Sequence, residues 1–396
     1  MKTQFPLNKF LSIPTPFYYY DTALLHETIK RLKAALPNPK SATPNPRVIH
    51  YALKANTNDR ILHIIREHGL GADCVSGNEI KKAIDSGFAP DEIVFAGVGK
   101  TDNEIILALE KDIFCFNCES PEEIKVINAL AAGMNRTAKI ALRINPNVDA
   151  NTHHYITTGL EENKFGINTW ELNDVLHLLR NCPNIELIGL HFHIGSQITD
   201  LDVFKTLCVR INELQQWFID RNVLPLHINV GGGLGVDYHE PDKNPVPDFK
   251  EYFSVFSRFL ELKPGQQLHF ELGRAIVAQC ASLISKVLYI KKGININFII
   301  LDAGMTELIR PALYNSYHKI EKIGTGDGGQ ETRYDVVGPI CESSDCFGKA
   351  VMFPETFRGD LIAIRSTGAY GEAMSSNYNL REKVAAVYSI DELSEK

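Results

Sequence analysis

The feature that most restricts how this chain can fold is a regular alternation of short apolar runs with amphipathic stretches. Strand-like runs stand at 48–53, 70–75, 93–97, 112–117, 139–145, 185–193, 227–231 and 268–272. Helical periodicity runs between them, at about 58–68, 77–86, 102–110, 120–132, 169–180, 201–221 and 248–261. A helix between two strands carries the chain back along the sheet, so the strands are expected to be parallel. Eight of them is the count of a closed (β/α)8 barrel. An open doubly wound sheet would carry G-x-G-x-x-G after its first strand. Here the glycine run Gly231-Gly232-Gly233-Leu234-Gly235 follows the seventh strand instead, with different spacing.

The alternation does not extend over the whole chain. Residues 5–23, with Thr15-Pro16-Phe17-Tyr18-Tyr19-Tyr20-Asp21, read as an extended aromatic strand outside the repeat. After about residue 275 the runs Leu283–Ile290, Phe298–Leu301, Tyr334–Val337 and Leu361–Ile364 are short, β-rich and bounded by turns such as Gly324–Gly329. The expected organisation is therefore an α/β chain with a barrel over 24–275 and a mostly antiparallel β domain built from 1–23 and 276–396. An insertion at 146–168, with Asn151-Thr152-His153-His154 and Lys164-Phe165-Gly166, follows the fifth barrel strand and reads as a lid or a plain surface loop.

Composition narrows the function classes. The 396 residues are 44% apolar and 22% charged, with a formal net charge of −7, which argues against nucleic acid as a partner. The amino terminus lacks a signal core and no apolar run is long enough for a membrane span, so a cytoplasmic protein is expected. Eight cysteines are spread over a chain with ample core, the pattern of buried thiols rather than of a disulfide framework. Cys115 and Cys118 form one C-x-x-C without a matching second pair, so no metal is expected there.

Lys54 closes the first barrel strand, in Val48-Ile49-His50-Tyr51-Ala52-Leu53-Lys54-Ala55-Asn56. Strand carboxyl ends carry the site in a barrel, and a partly desolvated lysine there can attack a carbonyl as a free amine; on the segment alone, a lysine reaching into water is the competing reading. The loops after the seventh and eighth barrel strands commonly bind phosphate. In this chain they are Gly231-Gly232-Gly233 and Glu271-Leu272-Gly273-Arg274. Glycines let backbone N–H groups close on an anion, and the arginine adds charge. A phosphate-bearing cofactor together with a strand-end lysine suggests pyridoxal 5′-phosphate, with Glu271 placed to pair with the pyridine nitrogen. His191 and His193 share one face of the sixth strand. With Asp73 and Cys74 they could instead begin a metal-dependent hydrolase, a reading that leaves Lys54 and the triglycine unexplained.

Across nearly its whole length the sequence resembles the diaminopimelate decarboxylase family. The resemblance is carried by Tyr51–Asn56, Gly71–Ser76, His191–Gln197, the triglycine, Glu271–Arg274, Arg310–Tyr314, Gly338–Asp345 and Gly368–Gly371. It implies a pyridoxal 5′-phosphate enzyme of the alanine-racemase-like barrel type. Such an enzyme removes CO2 from the D centre of meso-2,6-diaminopimelate, a small amino-acid substrate, to give L-lysine. The resemblance further implies Lys54 as the Schiff-base lysine, His193 as the ring stacked on the cofactor and Glu271 as the partner of its pyridine nitrogen. Asp73, Ser196, Gly232, Gly233, Gly273, Arg274 and Tyr370 fall among its cofactor contacts. Arg274, Arg310, Tyr314, Glu342 and Tyr370 fall among its substrate contacts. Cys341 and Glu342 match a pair delivered to the neighbouring subunit of a homodimer, with Cys341 or Lys54 returning a proton to Cα. Leu272 replaces the proline usual at its position, and Asn377–Glu382 departs from the commoner terminal pattern. Racemases, ornithine, arginine or carboxynorspermidine decarboxylases, and a cofactor carrier made of a lone barrel are the rival readings. A racemase would need two acid-base groups about Cα and no apparatus for a second carboxylate, Arg310 with Tyr314 and Glu342 disfavour the other decarboxylases, and a carrier would lack the β domain that bears Cys341 and Glu342.

Overall fold

The computed structural model describes residues 5–36, 45–148, 164–324 and 331–389. Strand β1 (Phe17–Tyr20) precedes the eight strands of a closed parallel barrel. These are β2 (Arg47–Ala52), β3 (Gly71–Cys74), β4 (Ile93–Phe95), β5 (Cys115–Cys118), β6 (Ala138–Arg143), β7 (Ile185–His191), β8 (His227–Asn229) and β9 (Gln267–Leu272). Pairing of His50 with Glu271 and of Tyr51 with Leu272 closes β2 onto β9. Each predicted strand is present within a few residues, because the apolar runs are buried on both faces, as a parallel sheet requires.

Local capping sets the barrel helices. Asn58 accepts from the Arg60 N–H at the start of Asp59–Glu67, Ser76 caps Gly77–Asp85, and Thr101 with Glu104 makes a reciprocal capping box for Asp102–Lys111. The barrel interior packs Val94, Cys115, Ala141 and Ile188 together. It also holds a row of imidazoles. His50 Nδ1 lies 3.1 Å from the Glu92 carbonyl, His50 Nε2 lies 3.0 Å from His269 Nδ1, and His269 Nε2 lies 3.0 Å from His227 Nδ1. A carbonyl only accepts, so His50 must carry its hydrogen on Nδ1. With neutral rings that fixes the same tautomer on His269 and His227 in turn.

The remaining strands form a second sheet. They are β10 (Ala281–Lys292), β11 (Asn297–Leu301), β12 (Ile320–Lys322), β13 (Glu331–Val337), β14 (Cys346–Pro354), β15 (Leu361–Ile364) and β16 (Ala385–Tyr388). Their order is β12-β15-β10-β11-β13-β14, with β1 antiparallel to β10 and β16 parallel to β1. Within this second sheet, β1·β16 and β11·β13 are the only parallel pairs among the described strands. Phe10, Phe17, Tyr19, Ile284, Leu361 and Ala363 form the core beneath it.

The opening stretch corrects one expectation. Residues 5–23 are not a single extended strand; the helix Leu7–Leu11 comes first and only Phe17–Tyr20 is β. The helix Thr22–Ala35, absent from the predicted set, follows at once. Asp21 accepts from the Leu24 N–H at its start, and Leu25, Ile29 and Leu32 are buried at helical spacing. The chain divides into two compact units, one of Ile29–Gly235 with Asp248–Gly273, the other of Met1–Thr28, Val236–Pro247 and Arg274–Lys396. Residues 149–163 of the insertion, with His153 and His154, lie outside the described residues.

Candidate active site

One group of candidate residues lies within the barrel unit. Strand β2 ends at Ala52, and a single 3-10 turn, Leu53–Ala55, aims Lys54 across to β3. There Lys54 Nζ donates to Asp73 Oδ2 at 3.1 Å. The lysine side chain is 35% exposed and the aspartate wholly buried, so the amine reaches inward rather than into bulk water. Asp73 Oδ1 is buried with no hydrogen-bond partner. Burial, followed by the charge of Glu271, pushes the Asp73 carboxyl up to about 7, against the pull of Lys54.

Glu271, at the end of β9, is gripped from three other strands. Its Oε1 accepts from Asn117 Nδ2 on β5 at 3.0 Å and from Asn229 Nδ2 on β8 at 2.7 Å. Its Oε2 accepts from His191 Nε2 on β7 at 2.9 Å. Burial alone would raise the Glu271 pKa, but His191, then Lys54 and His193, hold it well below the usual carboxylate range. His193 lies two residues beyond His191, and its Nδ1 accepts from the Gly232 N–H at 3.3 Å. Burial first, then Arg143 and Lys54, keep its pKa well below the ordinary imidazole value, so the ring is neutral and flat at pH 7.

The glycine run is a close-packed loop. A Cβ on Gly232 would lie 2.1 Å from the Glu271 carbonyl oxygen, and one on Gly231 would lie 2.3 Å from that of Phe192. Gly231 and Gly233 also take φ of +69° and +107°. The Gly231 N–H donates to Asn229 Oδ1 at 2.9 Å, which ties the loop to the Glu271 cluster. Ser196 lies in the loop that follows His193, and Gly273 follows β9.

The second group belongs to the β unit. Arg274 Nη1 donates to the Tyr238 hydroxyl at 2.6 Å, and its guanidinium lies 4.9 Å from the Tyr370 ring centroid. Arg310 sits 5.9 Å from the Tyr238 and Tyr314 rings and 5.8 Å from Tyr370. Burial would raise the Tyr238 pKa, but Arg274 and Arg310 draw it below the ordinary phenol value. Arg310 is 6% exposed and reaches only neutral groups, His318 Nε2 and Ser316 Oγ, both at 3.4 Å. No carboxylate among the described residues pairs with it. Cys341 and Glu342 form a separate, exposed group: the Cys341 N–H donates to Asn379 Oδ1 at 3.4 Å, and the Tyr378 hydroxyl donates to Glu342 at 2.8 Å.

Sequence reasoning missed Asn117, Asn229 and Tyr238. The two asparagines had a signal, as polar residues at inward-facing positions of otherwise apolar strands. Tyr238 lies in an irregular loop without one.

A pyridoxal cofactor requires an amine for its aldehyde, a carboxylate for its ring nitrogen, a flat surface for its ring and backbone N–H groups for its phosphate. The barrel supplies all four kinds of group. An ionised carboxylate has about four acceptor sites, and three donors to Glu271 leave one on Oε2. The residues present therefore fit the cofactor, and the fold with this donor set defines a pyridoxal-binding barrel. Residues 24–278 match the family described as pyridoxal-dependent decarboxylase, pyridoxal binding domain. A diaminopimelate decarboxylase of Bacteroides thetaiotaomicron is 56% identical over 99% of this chain and 100% of its own. One of Helicobacter pylori is 40% identical over 95% of this chain and 90% of its own. The crystal structure of diaminopimelate decarboxylase from Helicobacter pylori complexed with L-lysine superposes with a TM-score of 0.90 at 38% identity, covering 98% of this chain and 94% of that one. The chain belongs to the diaminopimelate decarboxylase family.

Proposed function

We propose that this protein decarboxylates meso-2,6-diaminopimelate at its D centre, releasing CO2 and L-lysine, as the last step of lysine biosynthesis in the cytoplasm. The observation that carries the chemistry is Lys54 turned onto buried Asp73 beside a Glu271 that keeps one acceptor site open. When bound, pyridoxal 5′-phosphate supplies the electron sink for the pair left by the breaking Cα–carboxylate bond. Lys54 would hold the cofactor through its side-chain amine. Glu271 would hold the ring nitrogen, His193 would support the ring face, and Gly232, Gly233, Gly273, Ser196 and Tyr370 would take the phosphate side.

Substrate choice rests on the β unit. Arg310, a buried cation without a carboxylate, suits the far carboxylate of a two-ended amino acid, with Arg274 and Tyr314 beside it in the same role. Ornithine and arginine lack that carboxylate. Holding the far end fixes which bond at Cα breaks, so binding remote from the reacting carbon contributes to rate. Cys341 or Lys54 returns the proton to Cα. The exposure of Cys341 and Glu342 supports a homodimer in which this pair serves the partner's site. The barrel spans 24–275 in this reading, and 1–23 with 276–396 form the β domain. Incubating the cofactor-loaded protein with meso-diaminopimelate, ornithine and arginine while following CO2 and amine products tests the assignment. L-Lysine from diaminopimelate alone is expected, and equal turnover of ornithine would overturn it.

A further inference from the structure

Glu271 has more donors than a simple ion pair needs, and their identities are constrained. Asn229 Oδ1 accepts from the Gly231 N–H, so the amide must turn its Nδ2 hydrogens to Glu271. His191 Nδ1 is buried without a partner, so Nε2 makes the one hydrogen bond of this ring, to Glu271. Facing an acceptor-only carboxylate, His191 Nε2 carries a hydrogen and donates it to Glu271 Oε2 at 2.9 Å. All three side chains and Glu271 are at most 5% exposed, so water does not substitute for them. A proton on Glu271 would take the one open site on Oε2 and weaken the oxygens as acceptors for all three N–H donors, so the cluster favours the carboxylate.

We propose that Asn117, Asn229 and His191 are positioning residues that hold Glu271 as a carboxylate with one lone pair left over, and thereby keep the cofactor's ring nitrogen protonated. The inference rests on Glu271 being the partner of that nitrogen. A proton shared between a pyridine and a carboxylate goes to the more basic group, and each charge-assisted hydrogen bond lowers the basicity of the carboxylate. Loss of one donor moves the proton toward Glu271 and weakens the electron sink, while the substrate-binding arginines are untouched.

The test reconstitutes wild-type protein, Asn229→Leu, His191→Leu and His191→Gln with pyridoxal 5′-phosphate labelled with 15N in the ring, and reads the nitrogen shift alongside steady-state kinetics. Wild type should show the protonated position. Both leucine variants should move toward the unprotonated one, with kcat lower by about ten-fold or more and KM within about two-fold. His191→Gln, which restores a donor, should return most of the way. A leucine variant that binds the cofactor and keeps the wild-type shift overturns the proposal. If the leucine variants do not fold, the 13C shift of Glu271 in wild-type protein decides: it should read as ionised from roughly pH 5 to 9, and a protonation step in that window overturns the proposal. An unprotonated ring nitrogen in active wild-type enzyme would instead remove Glu271 as its partner and take the inference with it.

Discussion

Replacing Arg310 with methionine should separate what this side chain does for function from what it does for stability. The guanidinium is 6% exposed, and its hydrogen bonds to His318 and Ser316 are both 3.4 Å long and made to neutral groups. Burying a cation without a paired anion is costly, and an apolar side chain of similar length removes that cost. The thermal midpoint of Arg310→Met should therefore stay level or rise. Activity should fall, because truncating one partner of a buried charge pair costs about 2–5 kcal/mol, or roughly 30-fold to several thousand-fold in kcat/KM for diaminopimelate. A second signature lies in His318, whose pKa is held near about 3 by burial and then by the charge of Arg310. Without the guanidinium it should titrate higher, though still below an exposed imidazole, and this is readable by NMR. Melting curves, product assays and the His318 titration together check the reasoning. Unchanged kcat/KM, or a large loss of stability, would refute the assignment of Arg310 as a cation waiting for a substrate carboxylate.

Further expectations concern acid stability, the glycine loop and assembly. Burial, with charged neighbours, holds His269 and His318 below their unfolded value of about 6.5, so the stability they contribute is whole above that pH and lost as pH falls through it. The cost is about 1.4 kcal/mol for each at pH 5.5, and a second proton on His269 also sets two N–H groups against each other at His227. Asp73, Glu79 and Asp345 run the other way, their raised pKa values favouring the folded state toward acid, but His50, His193 and His227 are depressed as well and add to the loss. Denaturant midpoints at pH 7.5 and 5.5 should show the drop. Gly232→Ala forces a Cβ to 2.1 Å from the Glu271 carbonyl oxygen, so it should lower both the melting temperature and the affinity for cofactor, measured by titration of the apoprotein. If Cys341 serves the partner's site, mixing inactive Lys54→Ala with inactive Cys341→Ala subunits should regain about a quarter of wild-type activity through hybrid dimers. No recovery after subunit exchange would place Cys341 at its own subunit's site or outside catalysis.

The barrel and the position of Lys54 could be read from the chain because both are set locally. Apolar runs of strand length and amphipathic runs of helix length alternate, capping residues such as Asn58 and Thr101 mark the helix starts, and a lysine directly after a buried run must stand at a strand end. The triglycine carries equally local information, since only glycine accepts those φ values and contacts. The partners of the charged groups had no such signal. Glu271 meets side chains 154, 80 and 42 residues away in sequence, His269 meets one 219 away, and Tyr238 finds Arg274 from an irregular loop. Periodicity states which face of a strand is inward but not which inward residues share a level. Barrel closure decides that by setting the register of β2 on β9, and with it whether a buried carboxylate is left isolated or given three donors.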